Sequence, residues 1–377
     1  MKKHLFFVAL AGVALASCVK NEVEAPATKQ VKIGFASPVL YSNVDTKANV
    51  YGEIGSHKYD GTETIYSYPR EEKFQIFAVE HSGNLTSWDA ATHTEFNATA
   101  ISYNRSLDAW APLKADGGFY YWPDNMQLSF AAMSPAEMDV PGAATAYSST
   151  GLVITDFVVA DDPAKQYDLL YSDRSINKTA ADMKDYGADY YGGIPIMFQH
   201  ALTSIHFSLK TDATETVNLL SIQLKNVKNK GTFKENITNE TEFARNPQWT
   251  VADASEVKSY TSFTGSVEFP LNPQYVSALA ALDGTNDNDV SHPLLMMPQA
   301  LGNDVVVEVK YEVGGEEKTR TVQLNQYPAT NPITAWEVGT KYTYRLVYSR
   351  EAQRNDIIYF SPETGVWADG GIIEVIL

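Results

Sequence analysis

The sequence predicts an all-β protein built as two Greek-key β-sandwich domains, and three observations carry that reading. Apolar and polar residues alternate with a period of two in many short segments, which is the side-chain repeat of a half-buried strand. Tyr and Phe are abundant, at 22 and 16 of the 377 residues, and aromatic and β-branched residues favour strands. The strands are separated by long polar loops, the spacing of Greek-key connections rather than of a parallel sheet. Beyond an N-terminal leader the chain has roughly 350 residues, more than one core usually supports, so two domains are expected.

The leader comes first. Lys2 and Lys3 form a positive start, Leu5 to Ala16 form an apolar stretch and small residues follow, the layout of a secretory signal peptide. The stretch is shorter than the roughly 20 residues needed to span a bilayer. Cys18 is the only cysteine, so it has no partner for an internal disulfide. Leu15-Ala16-Ser17-Cys18 resembles the lipobox of bacterial lipoproteins. That resemblance implies cleavage before Cys18, acylation of its thiol and anchoring in a membrane, since several acyl chains hold where one is marginal. Residues 1–17 are thus read as signal peptide. Residues 18–30, "CVKNEVEAPATKQ", are polar, aperiodic and broken by Pro26, and are read as a lipidated tether.

The remaining chain is divided into domains at residues 31–193 and 194–377. The strand candidates, in order, are "VKIGF", "KFQIFAV", "LSFAA" and "GLVIT" in the first domain. In the second come "SIHFSLK", "NLLSIQL", "GSVEFPL", "DVVVEVKYEV", "KTRTVQL", "KYTYRLVY", "DIIYF" and "GIIEVIL". In "SIHFSLK", Ile205, Phe207 and Leu209 share one face, and His206, Ser208 and Lys210 share the other. Gly314-Gly315 joins "DVVVEVKYEV" to "KTRTVQL" and predicts a hairpin. Pro298 stops the apolar run in "LLMMPQ", because proline cannot donate to a ladder. A short helix is expected around Gln274 to Leu282. The junction falls at the end of the long polar segment Ser172 to Gly193.

Charge and motifs exclude several functions. Removing residues 1–17 takes away two bases and no acid, leaving 27 bases, 46 acids and a net charge of −19; such a surface repels nucleic acid and anionic membrane. No G-x-S-x-G or H-E-x-x-H occurs, and no thiol remains once Cys18 is acylated, so no enzyme and no cofactor is indicated. Dispersed Ser-His-Asp or paired-carboxylate arrangements leave no mark in sequence spacing. His200 lacks neighbouring ligands and is read as structural rather than metal-binding. In "DGTNDND", Asp283, Thr285, Asp287 and Asp289 present alternating oxygens, but the glycine and glutamate of a calcium loop are missing, so a solvated acidic loop is the plainer reading. The sequons at Asn84, Asn97, Asn104, Asn177, Asn236 and Asn239 are read as loop composition.

Several phrases in one order, "KFQIFAV", "YYWPDNMQLSFAAMSP", "YDLLYS", "FQHALTSIHFSLK", "LLMMPQ", "VGTKYTYRLVY" and "IIYFSPETGVW", resemble the fimbrillin superfamily of Bacteroidetes. The resemblance covers most of residues 31–377. It implies two transthyretin-like sandwiches in a lipoprotein exported to the outer membrane and cell surface. It also implies other pilus subunits as partners, bound by β-strand exchange after a trypsin-like protease removes the first strand. Val31, Ile33 and Phe35 share one face of "VKIGF", as a removable first strand should. Lys47 and Arg70 follow in loop-like surroundings and are the candidate cleavage positions; the family's stalk subunits are usually cut after arginine, so Lys47 departs from the pattern. Both are equally read as ordinary surface cations with the strand retained. In "GGIIEVIL", Ile373, Val375 and Leu377 share one face, and Ile372, Glu374 and Ile376 the other. That segment either docks in its own domain or is donated to a neighbour. The alternative from another class is a surface lipoprotein, or a tip adhesin, that stacks glycans on Trp88, Trp110, Trp122, Trp249, Trp336 or Trp367; the flanks of Trp122 and Trp367 read as strand ends packed on a core.

Overall fold

The computed structural model describes residues 31–36, 39–40, 55–58, 64–68, 72–91, 93–105, 109–138, 140, 142–182, 193–211, 215–239, 244–252, 256–268, 276–277, 290–291, 293–327, 332–348 and 358–366. The chain is all-β: strands organise these residues, joined by four single-turn 3-10 segments. No helix among them is long and apolar enough to cross a membrane.

The largest sheet has ten strands. Its path runs through Gly55–Lys58, Thr64–Ser67, Val39–Leu40, Met197–His200, Leu170–Ser172, Gln127–Ser134, Phe74–His81, His93–Asn104 and Ala109–Ala111, with Ser175–Lys178 paired to Gln127–Ser134 off that path. Its two central strands are nearly all apolar, "FQIFAV" and "LSFAAM", because both faces are covered. Phe74, Ile76, Ala78, Leu128, Phe130 and Ala132 enter one core. Phe77, Val79, Ala131 and Met133 enter another on the opposite face.

That second core continues through a four-stranded sheet ordered Gln248–Val251, Lys230–Lys234, Gly151–Val158 and Ala144–Ser148. It then fills the space between two five-stranded sheets. One of these contains Thr203–Thr211 paired in parallel with Thr340–Tyr348, which in turn pairs with Ile358–Val366. The other centres on Val217–Lys228, flanked by Val257–Glu268 and Val306–Val313. Their inward residues, among them Phe207, Leu209, Leu224, Val309, Tyr311 and Tyr344, share the core, the arrangement of a sandwich. The predicted hairpin is present: Val306–Val313 and Glu316–Gln323 are joined by Gly314 and Gly315, both at positive φ, as a two-residue primed turn requires.

Hydrogen-bonded pairing crosses the expected junction at Gly193. Met197–His200 pairs with Leu170–Ser172, and Lys230–Lys234 pairs with Gly151–Val158. A buried ionic cluster sits beside this shared sheet. Glu235, fully buried, accepts from the Leu152 amide at 2.9 Å and lies 3.3 Å from the Arg245 guanidinium. Arg245 also pairs with Asp173 and lies over the Tyr171 ring at 4.9 Å. Arg174 donates to the Tyr147 hydroxyl at 2.7 Å and to the Ser148 carbonyl at 2.7 Å. Gly151 makes room: a Cβ there would stand 2.5 Å from the Glu235 carboxylate, and its φ of +91° suits glycine.

Two local expectations are corrected. Val276–Ser277, inside the stretch expected to be a short helix, is strand; the pairing of these residues with Ser208 and Leu209 outweighs helical propensity. Ser208, on the face opposite Ile205, Phe207 and Leu209, is buried as well. Of the sequons, Asn97, Asn104, Asn177 and Asn239 lie in strands rather than loops. Asn177 and Asn236 take positive φ, a conformation asparagine tolerates.

The ionic cluster generates a prediction. Burial raises the pKa of Glu235, with Arg245 opposing, so the native chain holds that proton more tightly than the unfolded chain. The contribution of this group to stability is therefore greatest in acid and falls as pH climbs from the ordinary carboxylate range through the raised value. Arg245→Met strands the carboxylate and is expected to lower stability by about 3–5 kcal/mol near neutral pH, with part of the loss recovered on acidification. Urea denaturation at pH 5 and pH 8 checks this.

Candidate functional site at the first strand

Residues 31–36 form a segment that is buried over its last four residues, with Ile33 and Phe35 inward at 2% and 0% exposure. Val31, expected on the same inward face, is 41% exposed because the segment enters the core only from Ile33 onward. Lys32 is half-buried, its ammonium 3.7 Å from the centre of the Phe119 ring. The segment belongs to no long ladder; it makes isolated bridges from Lys32 to Tyr121 and from Phe35 to Trp110 and Ile194.

Both edges of the segment are nonetheless engaged. On one side the Ile33 amide donates to the Tyr120 carbonyl at 2.9 Å, the Phe35 amide to the Trp110 carbonyl at 2.7 Å, and the Trp122 amide to the Val31 carbonyl at 2.9 Å. On the other, the Ala36 amide donates to the Ile194 carbonyl at 3.0 Å and the Ile194 amide to the Gly34 carbonyl at 2.9 Å. The segment thus lies in a slot between residues 110–122 and residues 193–194.

The floor of the slot is the core of the ten-stranded sheet. The Phe35 ring meets Phe130 edge-on at 5.4 Å and Phe74 edge-on at 6.2 Å. Tyr68 closes the neighbouring space against Trp110, Phe74 and Phe198 at 5.4, 5.8 and 5.7 Å. Its hydroxyl donates to the Lys73 carbonyl at 2.8 Å and sits 2.7 Å from Ser134 Oγ, and burial pushes its pKa well above the usual phenol range. Edge-on aromatic contacts of this kind add to the area they bury.

Gly193 sets the width of the slot. A Cβ on it would lie 2.4 Å from the Phe35 carbonyl carbon, 2.6 Å from the Gly34 oxygen and 2.7 Å from the Ala36 nitrogen. Two main chains touch there, and only glycine allows it. The sequence signals the apolar face of the strand but not this contact, because residues far apart in the chain create it.

The other sequence-derived positions distribute as follows. Leu15, Ala16, Ser17 and Cys18, the candidate cleavage residues Lys47 and Arg70, the acidic positions Asp283, Asp287 and Asp289, Trp367, and Ile372, Ile373, Val375, Ile376 and Leu377 lie outside the described residues. His200 is buried and bonded to Asp168 through Nδ1 at 2.8 Å. No cluster of three or more metal-ligating side chains occurs among the described residues. Trp88, Trp110, Trp122 and Trp336 are buried. Trp249 is half-buried and donates to the Ala201 carbonyl at 2.6 Å. These five therefore pack on the core rather than stand as open platforms.

The slot predicts that Phe35→Ala lowers stability by about 3–5 kcal/mol, the range for emptying a buried phenylalanine site. Gly193→Ala lowers it as well, since one of the two touching chains must shift. Chemical denaturation followed by tryptophan fluorescence reports both, as Trp110 and Trp122 share this core. Unchanged midpoints would mean that the segment contributes nothing to the fold.

Residues 68–367 match the profile of fimbrillin-like proteins. Among solved structures, a candidate cell adhesion protein from Bacteroides uniformis aligns at 15% identity and a TM-score of 0.49, over 90% of this chain and 99% of its own. A second, from Bacteroides ovatus, aligns at 14% identity and 0.49, over 92% and 99%. A fimbrial protein from Bacteroides ovatus aligns at 13% identity and 0.32, over 84% of this chain and 48% of its own. No protein of curated function matches.

Proposed function

The chain belongs to the fimbrillin-like family, and from that premise we propose that it is a structural subunit of a surface fimbrium, exported as a lipoprotein on Cys18 and assembled by β-strand exchange. The observation that carries this reading is the first strand. Val31 to Ala36 is joined to its neighbours by five main-chain hydrogen bonds among the described residues, yet two of its side chains, Ile33 and Phe35, seal a core. Removing it leaves unpaired backbone on two edges and an open apolar slot. Both are unfavourable until another extended segment fills them.

The order of the ten-stranded sheet bears on where such removal occurs. Val39–Leu40, Thr64–Ser67 and Gly55–Lys58 form its outer end, beyond Met197–His200. All three precede Arg70. A cut there releases this end as a unit, together with residues 31–36, and bares the edge of Met197–His200. A cut after Lys47 instead leaves the paired strands Gly55–Lys58 and Thr64–Ser67 without the Val39–Leu40 neighbour that ties them to the sheet. Arg70 is therefore the favoured maturation position within the proposal, and it suits a trypsin-like protease. The two-sandwich organisation is retained, with the halves joined through the antiparallel four-stranded sheet to which both contribute strands. Outer-membrane anchoring through the acylated Cys18 precedes cleavage and ends with it. Binding of glycans at a fimbrial tip would need a platform other than the five tryptophans that pack on the core.

Limited digestion with a trypsin-like protease tests the proposal. The expected result is a new N-terminus after Arg70 and, once the other fimbrial subunits are added, heat-sensitive polymers on a denaturing gel run without boiling. Deleting Gly370 to Leu377, with the fold retained by circular dichroism, is expected to shorten those polymers if that segment is donated to a neighbouring subunit. A cleaved chain that stays monomeric with those subunits present contradicts polymerisation, and cleavage elsewhere contradicts the assignment of Arg70.

A further inference from the structure

The slot around residues 31–36 is shaped for a side-chain pattern that the chain's own candidate donor strand does not carry. At its deepest point the Phe35 ring makes T-shaped contacts with Phe130 and Phe74, at interplanar angles of 89° and 82°. An aliphatic side chain at this point forfeits both edge-on contacts and leaves a void, since close-packed surroundings collapse only in part. One residue earlier, Gly34 is buried. Its carbonyl is bonded to the Ile194 amide, and Gly193 lies so close that even a methyl group on Gly193 would fall within 2.6 Å of the Gly34 oxygen.

A strand that enters both inward positions must place large apolar side chains two residues apart. In "GGIIEVIL" the pairs that meet this are Ile373 with Val375 and Val375 with Leu377, whichever way the strand runs. The residue between them is then Glu374 or Ile376. Either register puts a bulky or charged side chain where the seated strand has a buried glycine. Neither supplies an aromatic ring at the place of Phe35.

We propose that the slot selects an extended segment of a different protein, one bearing an aromatic residue at the position of Phe35, a glycine before it and an aliphatic residue before that, and that it discriminates against residues 370–377 of a second copy. Phe35 and Gly34 are the templates of that specificity, and Gly193 enforces the close approach that makes it. The inference rests on the reading of the slot as a strand-exchange site. It adds that this subunit receives its neighbour from another gene product rather than from itself.

A competition experiment tests it. A site-specific protease sequence inserted between residues 41 and 54 of the full chain allows the first strand to be cut free while it remains seated. Displacement of a labelled peptide of residues 31–36 is then followed by fluorescence polarisation. The unlabelled 31–36 peptide is expected to compete at least tenfold better than the same peptide with Phe35→Leu or Gly34→Glu, and at least tenfold better than the 370–377 peptide. Equal or better competition by the 370–377 peptide, or by the Phe35→Leu peptide, overturns the selectivity. If the cut strand exchanges with no peptide, the exchange reading fails and takes the proposal with it. Thermal melting of the uncut chain separates the two causes: a lowered midpoint for Phe35→Leu supports the ring-shaped pocket independently of exchange, and an unchanged midpoint overturns it.

Discussion

The seating of Phe35 against Phe74 and Phe130 is the contact on which the interior of the ten-stranded sheet depends. That sheet is unusual in being buried on both faces at its centre, so each face needs its own cover. One face is covered by the four-stranded sheet and the rest of the long core. The other is covered by loops and short bridges, by Trp110 and Trp122, by Ile194, and by the strand that carries Ile33 and Phe35. A cover made of isolated bridges is the least cooperative part of such a structure, because side-chain burial holds it more than a continuous ladder does. The same segment is therefore buried in the core yet held outside any continuous ladder.

The opposite face behaves differently. Gly151–Val158 and Lys230–Lys234 come from distant parts of the chain, yet they pair within one sheet. Glu235, Arg245 and Asp173 form a charged cluster at its flank, enclosed by Tyr171 and the Leu152 amide. Buried charges of this kind add little net stability, but they tolerate only one alignment of the segments that bring them together. The two halves of the chain are thus locked at the four-stranded sheet and lightly closed at the slot around residues 31–36.

Much of this was legible in the sequence. The alternation in "VKIGF" put Val31, Ile33 and Phe35 on one face, of which Ile33 and Phe35 are buried and Val31 is exposed, and the double glycine at Gly314-Gly315 identified the hairpin. Both signals are local: side-chain period and turn chemistry act within a few residues. The features that escaped are those created by contacts between distant residues. Nothing near Gly193 announces that the main chain of Phe35 will lie against it. Glu235 reads as one acid among many until Arg245 and the Leu152 amide converge on it. Pairing across residue 193 was hidden because a polar loop looks the same whether it separates two domains or connects strands of one sheet. The stretch around Val276 reads as helical on propensity, and a short pairing with Leu209 decides otherwise.

If residues 31–36 are a replaceable cover for an apolar slot, the assembled fibre must show the replacement. The most direct measurement is the structure of the assembled fibre by electron cryomicroscopy, resolved at the slot bounded by Trp110, Tyr120 and Ile194. A strand from a neighbouring subunit is expected in that slot, with an inward aromatic residue between Phe74 and Phe130. Residues 31–36 still seated there in every subunit, with the joints between subunits formed elsewhere, would contradict it.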